Sequence, residues 1–174
     1  MSKLAFNVGS GQRPFESVFP EIRWINIDKV SRQGCVPDIR CDGAHLPYED
    51  AMADYFVLHH VMEHFSQTDA KNLVTEAHRV LKPGGSLLVF VPNMRALAIK
   101  WLEGHMDMQL YMTNVYGAYM GDQEDLHRWG YDPWSLASFL AESPWSLVKL
   151  FDWRVIPGAS ICKDWWIIGM EAVK

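Results

Sequence analysis

Near its start the chain reads Leu4-Ala5-Phe6-Asn7-Val8-Gly9-Ser10-Gly11, and a second apolar run, Trp24-Ile25-Asn26-Ile27, ends in Asp28, 17 residues past Gly11. A strand that stops at Gly-x-Gly, followed by a strand that stops at an acid, is how a parallel α/β sheet builds a nucleoside site. The glycines let backbone approach a ligand closely, and the acid at the tip of the next strand accepts hydrogen bonds from a ribose diol. A dinucleotide-binding turn places a third glycine three residues further on, where a helix N-terminus meets the pyrophosphate. That position is Pro14 here. The loop therefore suits a nucleoside without phosphates, and a nicotinamide dehydrogenase is disfavoured.

Further apolar runs at Tyr55–Leu58 and Leu87–Val91 read as buried parallel strands, with a weaker one at Val36–Arg40. Between Leu58 and Leu87 the residues Ala70, Leu73, Val74, Ala77, Val80 and Leu81 follow helical spacing. Ser66 and Asp69 supply an N-terminal cap, and Lys82-Pro83-Gly84-Gly85 stops the helix. Phe15–Phe19, bounded by Pro14 and Pro20, allows only a short helix. Met94–Leu102 and Pro133–Glu142 are expected to be helical, while Glu103–Asp132 has no clean period. Ser146–Trp153 and Asp164–Val173 read as strands. This order predicts a Rossmann-like, doubly wound, three-layer α/β domain spanning residues 1–174, mostly parallel and ending in an antiparallel hairpin. Residues 94–132 form the expected substrate-recognition insert, because long irregular segments of compact domains commonly carry function.

Composition excludes some partners. A net charge of -5 with no basic stripe argues against nucleic-acid binding. No apolar run reaches the length of a membrane span, and a strand starting at Lys3 leaves no room for a signal peptide. Cys35, Cys41 and Cys162 form no even set and no metal-type pair, so free thiols and a cytoplasmic location are expected. Seven of the eight tryptophans lie at or after Trp101. Most are expected to pack the core, and an exposed subset at a cleft or dimer contact is the alternative.

Five segments together resemble the class I S-adenosylmethionine-dependent methyltransferases, specifically the small "type 11" group. They are Asn7–Gly11, Ile25–Asp28, Asp42-Gly43-Ala44-His45-Leu46-Pro47-Tyr48, His59-His60-Val61-Met62-Glu63-His64-Phe65 and Arg79–Gly85. The stretch Tyr119–Asp132 is more loosely similar to a subgroup associated with cell-surface glycan synthesis. The resemblance implies S-adenosylmethionine as cofactor and a small-molecule or carbohydrate acceptor. It implies that Gly9, Ser10 and Gly11 line the methionyl part and that Asp28, with Lys29 beside it, holds the ribose hydroxyls. It further implies that Asp42 and Gly43 meet the adenine, and that Leu58 and His59 meet the amino-acid end. For Asp28 an exposed turn acid is the competing reading; for Asp42 it is a turn or cap acid. The family's covering helix before the first strand is not expected here, which leaves the site more open or leaves a partner subunit, such as a second copy in a homodimer, to close it.

Methyl transfer from a sulfonium needs alignment and exclusion of water, and some acceptors also need a base. His60, after the fourth strand, and His127, in the insert, are the candidate bases; for His127 the rival role is to pin the insert to the domain. Trp129 and Tyr131 are candidates for stacking on an acceptor, with core packing as the simpler account. His60-Val61-Met62-Glu63-His64 also fits the H-x-x-E-H zinc-protease pattern, with both histidines on one ion and Glu63 as base. No third ligand is identifiable, so no metal is expected. Glu63 and His64 are expected instead to orient their loop and bond a neighbouring strand. A zinc hydrolase and a non-catalytic S-adenosylmethionine- or S-adenosylhomocysteine-binding partner subunit stand as the alternatives.

Overall fold

The structure is a computed structural model that describes residues 2–11, 21–31, 36–118, 123–155 and 166–174. Seven strands form one sheet: β1 (Lys3–Val8), β2 (Ile22–Asp28), β3 (Ile39–Arg40), β4 (Ala53–His59), β5 (Leu81–Pro92), β6 (Leu147–Leu150) and β7 (Ile167–Val173). Their order is β3-β2-β1-β4-β5-β7-β6. The pairs from β3 through β5 are parallel, and β7 runs antiparallel to both β5 and β6. The expected doubly wound topology with a terminal antiparallel hairpin is therefore present. The short helix expected at Phe15–Phe19, with Pro14 and Pro20, lies outside the described residues, as do Cys35 and Cys162.

Period-2 alternation decides which side chains meet which face. Phe6 and Val8, Phe56 and Leu58, and Leu87, Val89 and Val91 point to one face. There they pack against Leu73, Val74 and Ala77 of α1 (Gln67–Val80) and Leu136 and Leu140 of α4 (Pro133–Ala141). The intervening residues Val57, Leu88 and Phe90 face a smaller cluster with Trp153 and Ile167. Asn7 and Asn26, opposite one another on β1 and β2, are buried and joined by a 2.9 Å side-chain hydrogen bond.

Helix α1 begins as expected: Ser66 Oγ accepts from the Asp69 amide. It ends one residue earlier than its apolar spacing suggests. Leu81 has extended backbone and pairs with Ala53. Pro83 cannot donate to a continuing helix, and Gly84 at φ +78 makes the turn back into the sheet. The weak strand at Val36–Arg40 shrinks to two residues, and Ser146–Trp153 shrinks to Leu147–Leu150 plus a 3-10 turn at Trp153–Val155.

The aperiodic stretch Glu103–Asp132 holds a helix. After α2 (Met94–Leu102), α3 (Met108–Tyr116) starts at the Asp107 cap and buries none of its residues, so no apolar face marks it in the sequence. Trp101 of α2 stacks on Tyr111 of α3 at 5.0 Å. Of the seven described tryptophans, Trp153 is buried and Trp24, Trp145 and Trp166 are half-buried against the core, as expected for most of them, whereas Trp129 and Trp134 are exposed. Tyr131, by contrast, is a core residue. No helix among the described residues is long and apolar enough to cross a membrane.

The loop between β3 and β4 is held by one acid of α1. Glu76 Oε1 accepts from the Leu46 amide at 2.7 Å, and Arg79 binds both Glu76 oxygens while reaching Asp50 at 2.7 Å. Burial pushes the Glu76 carboxyl up, but the bonds from Arg79 and the Leu46 amide outweigh it and hold the group below the usual carboxylate range. Glu76→Ala should destabilise the fold by about 2–3 kcal/mol in urea unfolding, because a buried amide loses its charged acceptor. The depressed carboxyl stabilises the fold above its unfolded value of about 4.3, and that contribution disappears as pH falls through the lower folded value. Glu76→Gln should flatten this acid limb of the stability curve.

Candidate functional site

The strand order reverses beside β1: β2 lies on one side and β4 on the other. In open α/β sheets the crevice at the carboxyl ends of such strands is where ligands bind. A cavity of about 200 Å³ opens there, lined by Gly9, Gly11, Asp28, Lys29, Asp42, Gly43, His60, Val61 and His64, with Glu124 and Asp125 from the insert. Of the expected cofactor residues, the pocket wall thus gathers six: Gly9, Gly11, Asp28, Lys29, Asp42 and Gly43.

Local geometry explains why these residue types stand here. Gly9 has φ +69, and a Cβ on it would come within 2.5 Å of Val61 Cγ2. The amides of Gly9 and Ser10 both donate to Ile27 O, and the Gly11 amide donates to Asp28 Oδ2 at 2.9 Å. The loop is thereby clamped to the end of β2, and it offers a ligand space and carbonyl oxygens. Asp28 Oδ1 accepts from the Val30 amide, also at 2.9 Å. Each carboxylate oxygen keeps a second lone pair for a ligand hydroxyl. Asp42 makes a turn, its Oδ1 accepting from Ala44 N and its carbonyl from His45 N, while also facing the pocket. Gly43 is close-packed: a Cβ there would meet Val8 Cγ1 at 2.5 Å.

Three expected contacts are not on the pocket wall, and the first of them, Leu58, is wholly buried in the core. The His59 ring is set against Phe90 and His60 rather than on the pocket wall. Ser10 is buried, off the wall, with a hydroxyl that has no partner among the described residues. The reason is strand alternation at the tip of β4. His60 turns the chain at φ +55, with its amide on Phe90 O, and thereby becomes the imidazole that faces the pocket.

The H-x-x-E-H run does not form an α-helix that would pair His60 with His64. Met62–His64 is a 3-10 turn. Glu63 is 1% exposed, with Oε1 3.0 Å from His60 Nδ1. Its backbone oxygen accepts from the amides of Arg128 and Trp129, and His64 Nδ1 lies 3.3 Å from Leu126 O. The expected partner of Glu63 and His64 was a strand; the actual partner is the insert, whose aperiodic sequence concealed the contact. His127 Nδ1 is 2.8 Å from Asn114 O, which ties two parts of the insert together, and its ring meets His64 of the domain edge to face. Burial pushes the Glu63 carboxyl up, but the His60 bond and the neighbouring His64 and His127 rings outweigh it and hold the group below the usual range. Burial pushes His127 below the usual histidine range. Lys29 pairs with Glu124 at 2.7 Å, so the tip of β2 and the insert meet across the pocket mouth.

With this geometry in view, residues 20–89 match the profile of a family described as "Methyltransferase domain". No curated protein matches the chain. Solved structures do. One is a Burkholderia thailandensis 1,6-didemethyltoxoflavin-N1-methyltransferase with bound 1,6-didemethyltoxoflavin and S-adenosylhomocysteine: 17% identity, 99% of this chain and 71% of that one, TM-score 0.65. The fold is that of a class I S-adenosylmethionine-dependent methyltransferase domain. A SAM-dependent methyltransferase from Archaeoglobus fulgidus aligns at TM-score 0.66, with 15% identity over 99% of this chain and 86% of that one. A possible histamine N-methyltransferase from Thermotoga maritima gives TM-score 0.62 at 14% identity, over 99% and 82% of the two chains.

Gly9→Ala tests the clamp of this pocket. The added methyl strains a left-handed backbone and displaces Val61. Affinity for S-adenosylhomocysteine, read by calorimetry, should fall at least about tenfold, or about 1.4 kcal/mol, in a variant with native circular dichroism.

Proposed function

We propose that the protein transfers a methyl group from S-adenosylmethionine to a small-molecule or carbohydrate acceptor in the cytoplasm. The observation that carries this is the charge of the pocket wall. Among the described residues it bears four carboxylates, Asp28, Asp42, Glu124 and Asp125, and one cation, Lys29, which is already paired with Glu124. Such a wall repels phosphates and favours a nucleoside that carries a sulfonium and an ammonium. Asp28, braced by two amides, would take both ribose hydroxyls, and Asp42 with Gly43 would face the adenine. His60, on the pocket wall, would be the candidate base, while His127 does not line the pocket. The insert, 94–132, would recognise the acceptor and exclude water from the in-line displacement.

Asp28→Ala should lower cofactor affinity by about one to two decades, since charge-assisted bonds to two hydroxyls are lost. Unchanged affinity in a folded variant would remove the ribose assignment. Trp129, exposed on the insert, gives the complementary measurement. Trp129→Ala should leave cofactor affinity within about a factor of three while transfer to the acceptor falls further. Turnover with labelled cofactor over a panel of hydroxyl and amine acceptors decides between an enzyme and a cofactor-binding partner subunit, which would bind without transfer.

A further inference from the structure

We propose that Glu63, His64 and His127 form a binding site for a first-row divalent cation at the edge of the cofactor pocket, with coordination positions left open for an acceptor oxygen. One ligand atom from each of the three residues lies within 4.8 Å of the other two. The His64 and His127 Nδ1 atoms face the carbonyl oxygens of Leu126 and Asn114. A carbonyl can only accept, so each Nδ1 carries the proton and Nε2 keeps the lone pair when the ring is neutral. This is the arrangement metal-binding histidines use, with the outer N–H held by backbone. Glu63 Oε1 is taken by His60, but Oε2, on a side chain that is 2% exposed, has no partner among the described residues.

Three electron-pair donors therefore converge with no hydrogen between them, an arrangement that repels itself unless a positive charge sits inside. A proton on one imidazole is the rival source of that charge, and direct titration with metal ions distinguishes the two. Two imidazoles and one carboxylate suit Zn²⁺, Mn²⁺ or Co²⁺ better than Mg²⁺, which prefers oxygen ligands. Three protein ligands leave further positions free. His64 lines the cofactor pocket, so a hydroxyl bound to the ion would be acidified beside the transferable methyl. The third ligand missing from the H-x-x-E-H reading is thus supplied by the insert, while His60 drops out of the set. The acceptor role rests on the methyltransferase reading; the ion site does not.

The test uses the whole chain stripped with a chelator, with Mn²⁺ and Zn²⁺ titrated by calorimetry and Co²⁺ by visible absorption. One ion per chain is expected. His127→Ala and Glu63→Gln should weaken binding at least about tenfold, while His105→Ala, at an exposed histidine elsewhere, should not. Should Glu63→Gln fail to fold, His64→Ala, at a half-buried position, carries the measurement. Acetohydroxamate, a bidentate oxygen ligand, should shift the Co²⁺ spectrum; an unchanged spectrum overturns the open positions. No binding to folded wild type, equal binding to His64→Ala and His127→Ala, or a thiolate band assigning the ion to Cys41 overturns the site. Calorimetry with S-adenosylhomocysteine on the same samples separates the two readings. An ion without cofactor binding leaves the site and removes the methyltransferase function, and the reverse result does the opposite.

Discussion

A single buried residue, Glu63, joins the edge of the sheet to the insert. Glu63 follows the sharp turn at His60 and is almost wholly enclosed. Its backbone oxygen receives two amides from the insert, and its side chain receives His60. A buried ionised carboxylate is costly unless its environment compensates, and here His60, 3.0 Å from Oε1, supplies part of that compensation. The arrangement couples the edge of the sheet to the segment that covers it. Displacing Arg128 and Trp129 would strip hydrogen bonds from a group that water cannot easily reach. Around α3, which buries none of its residues, the insert is held by backbone bonding and ring contacts, while Leu97, Met106 and Tyr131 anchor its other parts in the core.

The pocket depends on a second, simpler constraint. Parallel strands β2 and β4 leave β1 on opposite sides, so their tips diverge and a crevice must open between them. Glycine at position 9 lets Val61 close down on the loop, and the loop amides bind the end of β2. Asp28 belongs to both systems: it braces Gly11 and Val30, and its remaining lone pairs face the cavity. In the proposed reading Asp28 would both shape the site and contact the ligand, giving preorganisation, because little conformational entropy would then be lost on binding.

What could be read in the sequence follows from which forces leave a periodic trace. The strands of the sheet and α1 were legible because each buries a face, and burial imposes a period on apolar residues. The Ser66 cap was legible because capping is local. Leu81 was misassigned to α1 because it is apolar in either state, and the turn through Pro83 and Gly84 decides the matter. Helix α3 left no trace because nothing is buried along it. Motif spacing was enough to bring Gly9, Gly11, Asp28, Asp42 and Gly43 to one pocket wall. The side His59 faces was not legible, because alternation at a strand tip depends on the backbone turn at His60, which no residue pattern announces. The convergence of Glu63, His64 and His127 was invisible for a different reason: it joins residues distant in sequence, and only the seated insert brings the last of them in.

Charge links these features. Four carboxylates, Asp28, Asp42, Glu124 and Asp125, stand on the pocket wall, and Lys29 bridges to one of them, Glu124. A wall of this kind favours a cationic ligand. In the proposed reaction the sulfonium would become a neutral thioether, so the product would lose the attraction that held the substrate's sulfur. The same acidic wall would then favour release of the product relative to the cofactor, and substrate capture and product discharge would both follow from one distribution of carboxylates.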